Sequence, residues 1–336
     1  GKEAPVRRYL TTAGALALAT AIARQAVAEG APPTVDDLLV TGTRVPEGVQ
    51  ADRIGASLTI IRAQDFADRQ VRIVSDVLRD VPGVSVSRTG AVGGFTQVRV
   101  RGTESRHVLT LIDGIKADDP FFSEFDYATL LADEVARVEV LRGQQSAIYG
   151  SDAIGGVINY ITPTGRQAPG GRLRAEAGSM GTYGGTARIG GYRDGLDYVL
   201  SGGFQSTDGY VAAPGGKRDI GSTLGSLAAK FAYDVTPHLR LRAVARYADT
   251  QADSNGQAFS PPGYATDSPG TGFRAISRYG SVGADYDLAD GRWTHSLSVQ
   301  GVDATRKSDS NFVRTGGDEG TRLKASYATT FRIDSA

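Results

Sequence analysis

The chain has 336 residues, 44 of them glycine, no cysteine, and 37 basic side chains balanced by 37 acidic ones. Without cysteine there is no disulfide framework and no thiolate metal or redox chemistry, and zero formal charge removes the chain-wide basic field that nucleic-acid binding uses. The histidines (His107, His238, His295) are too scattered for a histidine-rich metal site, and glycine excess without a G-X-Y period excludes collagen and suits many short strands and turns.

The N-terminus reads as an address. Residues 2–8 are net basic (Lys2, Arg7 and Arg8 against Glu3), Leu10–Ala23 is uncharged and apolar, and Ala26-Val27-Ala28 offers an A-x-A cleavage site. This is the layout of a secretory signal over residues 1–28. The apolar run has 14 residues, whereas a transmembrane helix needs about 20. A polar linker, Gly30–Thr34, follows. No later segment is apolar enough for a spanning helix, so further membrane contact falls to strands.

Residues 36–163 carry the pattern of an α+β unit with five short strands and two helices. Arg72–Arg79 places Ile73, Val74, Val77 and Leu78 at helical spacing, and Pro82-Gly83 stops it. Gln97–Arg101 alternates as a strand does, His107–Ile112 runs into the Asp113-Gly114 turn, Arg137–Leu141 alternates again, and Val157–Ile161 is a last strand.

From residue 171 the helical signal vanishes. Eight two-faced strands are predicted, over 172–178, 183–192, 196–206, 222–234, 239–248, 274–287, 292–304 and 321–333. Tight connections (Asp194-Gly195, Val235–Pro237, Ala289–Gly291) alternate with long polar ones at 207–221, 249–273 and 305–320; only 179–182 breaks the parity. Short turns at one rim and long loops at the other are the outer-membrane barrel pattern, and Tyr192, Tyr198, Tyr233, Tyr286 and Trp293 near strand ends fit an interfacial girdle. A closed eight-stranded barrel is filled by its own side chains, whereas barrels of about 22 strands hold a plug in the lumen. A first domain of about 128 residues therefore implies that more strands follow Ala336 and that the chain is an N-terminal fragment.

Asp37–Thr164 resembles the plug of TonB-dependent outer-membrane receptors, and among these the cobalamin receptors, through Gln97–Thr103 (QVRVRGT), His107–Lys116 (HVLTLIDGIK), Val138–Gly143 (VEVLRG) and above all Tyr149–Thr162 (YGSDAIGGVINYIT). Gln144 departs from the family, which has proline there. The resemblance implies a signal peptide (1–28), linker and TonB box (29–44), α+β plug (45–165) and antiparallel transmembrane β-barrel (171–336). Asp37, Leu38, Leu39, Val40 and Thr41 would form the box, a short apolar, β-prone segment suited to adding as a strand to the sheet edge of TonB, itself driven by an inner-membrane energising complex.

Further expectations follow from the resemblance. Arg99, Arg101, Arg137, Glu139 and Arg142, on polar strand faces, would make breakable contacts to the barrel wall. Two loops, Ser85–Thr96 and Lys116–Tyr127, would face outward, with Arg88, Thr89, Phe95, Phe121 and Phe122 as ligand contacts. Asp219 and Asp253, in outer loops, are candidates for calcium. The implied function is active transport of a scarce large ligand, cobalamin or another corrinoid, with a siderophore or haem receptor as the alternative. The rivals are a passive porin and an outer-membrane enzyme. No P-loop is present (Gly215-Gly216-Lys217 is followed by Arg218), and no G-x-S-x-G turn or carboxylate pair supports catalysis.

Overall fold

A computed structural model describes residues 38–39, 49–50, 56–258, 264–288 and 291–333. The signal segment, and Asp37, Val40 and Thr41 of the expected box, lie outside the described residues. Leu38–Leu39 (β1) pairs antiparallel with Val49–Gln50 (β2).

The N-terminal domain is organised around a five-stranded sheet. In chain order its strands are Ser57–Arg62 (β3), Val108–Ile112 (β6), Ile115–Lys116 (β7), Arg137–Arg142 (β8) and Gly156–Ile161 (β9), and they lie side by side in the order β3-β8-β9-β6-β7. Only β6 and β9 run parallel, and both are buried along their whole length, as strands covered on both faces must be. A separate hairpin joins Val84–Arg88 (β4) to Thr96–Val100 (β5). In β5 Thr96, Val98 and Val100 are buried, with Gln97 and Arg99 half-buried between them. Arg101, at φ 52°, ends the strand.

Three expectations need correction here. The helix is Val74–Leu78, shorter than 72–79, because Ile73 is drawn into extended backbone by an antiparallel bridge to Leu131. The outward loop begins at Thr89 rather than Ser85, since Ser85–Arg88 pairs with β5. Strands β3 and β4 were absent from the predicted set, β4 because its polar alternation (Val-Ser-Val-Ser-Arg) looks like a loop when only two of five residues are apolar.

Buried residues on the sheet (Val138, Val140, Ile158, Tyr160, Ile112) meet those of the helices Ala63–Asp68 (Phe66) and Val74–Leu78 (Val74, Val77, Leu78) and of the connections (Phe125, Tyr127, Leu130) in one cluster. The same cluster takes in Tyr279 and Val302 from the second domain, so the two share an apolar contact.

The second domain is an antiparallel meander of eight strands: Gly170–Ala177 (β10), Tyr183–Arg193 (β11), Leu196–Val211 (β12), Asp219–Thr236 (β13), Leu239–Asp253 (β14), Gly272–Leu288 (β17), Trp293–Ser310 (β18) and Val313–Phe331 (β19). A two-residue ladder, Gly256–Gln257 (β15) with Ala265–Thr266 (β16), caps the β14–β17 connection. All eight predicted strands are present, but they run further toward the outer rim than their apolar alternation indicates. The expected long loop 305–320 is strand on both sides of a turn at Asn311-Phe312. At that rim both faces are polar, so pairing continues without an amphipathic signal.

One face of this sheet is apolar and exposed. Cross-strand rows such as Tyr233–Leu241, Val282–Val299 and Leu297–Tyr327 run across it, and their side chains are exposed. Tyr192, Tyr233, Tyr286, Trp293 and Phe331 gather at the rim of tight turns. Among the described residues no helix is long and apolar enough to cross a membrane. The other face packs on the N-terminal domain, and β10 and β19 are the sheet's two edges.

Candidate functional site

The seam between the domains is where acids of the first meet bases of the second. Asp113, in the left-handed turn position that the Asp-Gly pair suits, accepts from Lys230 Nζ on β13 at 2.7 Å and from the Thr162 backbone at 3.0 Å. Lys230 also donates to the Thr162 carbonyl at 2.9 Å, which ties the turn, the end of β9 and the sheet together. On the 3-10 turn Ala132–Glu134, Asp133 accepts a fork from Arg174 of β10 (2.9 and 3.1 Å), and Glu134 accepts from Arg246 of β14 and Ser226 of β13, each at 2.6 Å. Arg72 pairs in the reverse sense with Glu176 of β10. Arg322 of β19 donates to the carbonyls of Lys116 (2.7 Å) and Asp118 (2.8 Å).

Such a seam is specific without being strongly adhesive. A buried ion pair gains in Coulomb energy about what it loses in desolvation, so it fixes one seating while adding little net attraction. Apolar contact is made by Tyr279 and Val302 in the plug's cluster and by Ile220 and Leu224 of β13, which lie against Gly90 and Gly93 of the plug.

Of the residues expected to make these contacts, Arg99, Arg137 and Arg142 bond within the plug. Arg99 donates to Ser87 Oγ (2.8 Å) and Gln97 Oε1 (2.9 Å), Arg137 to Glu139 Oε1 (2.7 Å), and Arg142 to the Pro82 carbonyl (2.6 Å) and Thr59 Oγ1 (3.1 Å). Arg101 packs its guanidinium beside Gly143. The polar faces of the strands serve the domain's own structure, and the contacts to the sheet come from turns and strand ends.

Two of the five expected ligand residues meet at a cleft. Phe95 and Phe121 line it with Asp119, Glu124 and Asp126 from the first domain and Ser277, Tyr279, Thr305 and Arg306 from the sheet. Phe122 is exposed and meets Phe121 edge-on, with ring centroids 5.2 Å apart. Thr89 is exposed at the loop base, its N–H bonded to the Phe95 carbonyl. Arg88 departs from the expectation: it is turned inward to Asp76 (2.7 Å) and Ser75. Phe125, between the cleft's acids Glu124 and Asp126 in sequence, is buried against Tyr127. Arg306 was missed, since nothing in β18 alone marks it.

Burial governs the acids here. It raises Asp126 to about 6, against backbone donors at Thr96 and Ala128 that lower it. Burial likewise raises Asp118 to about 7, opposed by the Thr110 N–H, Lys116 and Arg322, and moves Asp119 upward. Of the calcium candidates, Asp219 begins β13 and Asp253 ends the neighbouring β14, where its carboxylate accepts from the Gly221 N–H at 3.3 Å. Among the described residues no three metal-ligating side chains form a group.

Residues 50–157 match the family model of the TonB-dependent Receptor Plug Domain. The fold of the chain is similar to that of the siderophore receptor PiuA from Acinetobacter baumannii (TM-score 0.68, 17% identity, covering 85% of this chain and 44% of that one). It is similar also to the ferripyoverdine receptor of the Pseudomonas aeruginosa outer membrane (0.67, 18%, 84% and 39%) and to the P. aeruginosa ferric enterobactin receptor PfeA (0.58, 18%, 82% and 46%). The chain thus spans less than half the length of these receptors. The architecture is a plug followed by part of an antiparallel barrel wall. The protein is an outer-membrane protein, and one face of its wall is apolar and exposed.

Proposed function

We propose that the protein is an energised importer that binds a scarce, large ligand above the plug and passes it inward when TonB pulls on the segment Asp37–Thr41. The observation that carries this reading is the seam: a folded plug is seated against the wall in one register by ion pairs such as Asp113–Lys230 and Glu134–Arg246, contacts that can be broken and remade. A passive porin has no use for such a plug or for the box. Deleting Asp37–Thr41 from the full-length receptor should abolish uptake and leave ligand binding at the surface intact; unchanged uptake would overturn the reading.

For the ligand we favour a ferric siderophore, in keeping with the binding named for the structurally similar receptors. Cobalamin is the second reading, supported by the overall likeness of the plug sequence to the cobalamin receptors. Equilibrium binding of ferric siderophores and of cyanocobalamin to the full-length receptor separates the two, because only one should saturate at nanomolar concentration.

A further inference from the structure

We propose that Arg172, Arg188 and Ser201 form a seat for an oxyanion, a phosphate or a carboxylate, in a gap of the seam between plug and wall, and that filling it holds the plug in place. The seat lies apart from the cleft at Phe95 and Phe121 and is independent of the uptake reading above.

Arg172 on β10 stands opposite Arg188 on β11, and Arg188 stands opposite Ser201 on β12. Residues directly opposite share a face, about 5 Å apart, so the three line up across the sheet. The face is the inner one: Arg174 and Glu176, two and four positions beyond Arg172 on the same side of β10, reach Asp133 and Arg72 of the plug. Contact with the wall is close on either side of this row. Above it Leu131 fills the space over Gly203, where a Cβ would come within 2.8 Å of its Cδ1; below it the Ala168 carbonyl oxygen would lie 2.7 Å from a Cβ on Gly190. Between them Arg172 is exposed and Arg188 half-buried.

Like charges directly opposite each other are destabilising, and here no acid offsets them. Among the described residues Arg172 and Arg188 form no ion pair and no side-chain hydrogen bond. Arg188 Nε is buried without an acceptor, and the charge that acts on this guanidinium is that of Arg172. Inward cations nearby are paired: Arg174 with Asp133, Lys230 with Asp113, and Arg246 with Glu134. A buried donor left unpaired costs free energy. An oxyanion removes both penalties at once, taking forked N–H donors from two guanidiniums and a hydroxyl from Ser201. The free edge of β10 opens the seat on one side, to an anion from solution or to a carboxylate on a strand paired with that edge.

The test follows protease cleavage of the plug in the full-length receptor in detergent, in chloride buffer of fixed ionic strength, with inorganic phosphate as the probe. A free anion that binds only the seated plug should slow cleavage, by about tenfold at ten times its dissociation constant, and the double variant Arg172→Gln, Arg188→Gln should abolish that response. A carboxylate of the chain already in the seat should leave the wild type indifferent to phosphate and make the double variant cleave several-fold faster without it. Either result supports the seat and names its source. A phosphate response that persists in the double variant overturns it. So does indifference to phosphate together with cleavage that is unchanged or slower in the double variant, the outcome expected of simple repulsion between two arginines. Heat-modifiable migration checks that each barrel is folded.

Discussion

Arg246 of the wall and Glu134 of the plug meet at 2.6 Å with both side chains almost wholly excluded from water, and the guanidinium lies 5.4 Å from the centre of the buried Tyr160 ring. Ser226 completes the carboxylate's partners. The pair sits where the plug's apolar cluster reaches the wall, so it works as a key: any other seating strands a buried charge.

That geometry predicts asymmetric mutants. Glu134→Leu or Arg246→Met alone leaves one charge unpaired and should destabilise plug seating by about 3–5 kcal/mol. The double variant should recover most of the loss. Urea-dependent protease access to the plug in the full-length receptor reads both effects, and equal losses in the single and double variants would refute the keyed pair.

Asp118 predicts a pH dependence. Its carboxyl is raised by burial from 3.8 to about 7, so the folded plug holds a proton that the unfolded chain releases. This contribution is fully present below the unfolded value and is lost as pH rises through about 7. Plug stability should therefore fall between about pH 4 and 7 and level off above, with a slope of at most about 1.4 kcal/mol per unit. Urea titrations across that range check it, and Asp118→Asn should flatten the profile.

Gly156, at the start of β9, is required for space. A Cβ there would overlap the Leu141 carbonyl oxygen of the neighbouring strand, and backbone cannot swing aside as a side chain can. Gly156→Ala should cost about 1–3 kcal/mol by overpacking. At Gly150, φ 88° and ψ −169° with open space around it, only backbone strain opposes alanine, in a region essentially reserved for glycine, and the loss should be about 1–3 kcal/mol. Thermal or urea midpoints of the two variants, compared side by side, test both losses.

Leu39 pairs with Val49, a sign that this short segment accepts a strand partner. Leu39→Pro removes its N–H and fixes its φ. Uptake should fall by an order of magnitude or more while surface binding of ligand is unchanged; radiolabelled ligand uptake against binding on intact cells separates the two.

What periodicity carries was legible in the sequence. Alternation at Leu239–Tyr247 and Leu323–Phe331 marked wall strands, the turns between them marked one rim, and the run Tyr149–Thr162 marked the plug, because each is a local pattern repeated along one stretch of chain. Strand ends were less legible where both faces are wet, as at 305–320, since pairing there leaves no amphipathic trace. The charges of the seam were not legible at all. Glu134 and Arg246 are 112 positions apart, and Arg306 meets Phe95 only because β18 lies where it does against the plug. Which charges meet depends on strand register and on how one domain seats in the other, and neither is encoded in any local window; the sequence alone determined the two kinds of domain, and the tertiary structure decided which of their residues face each other.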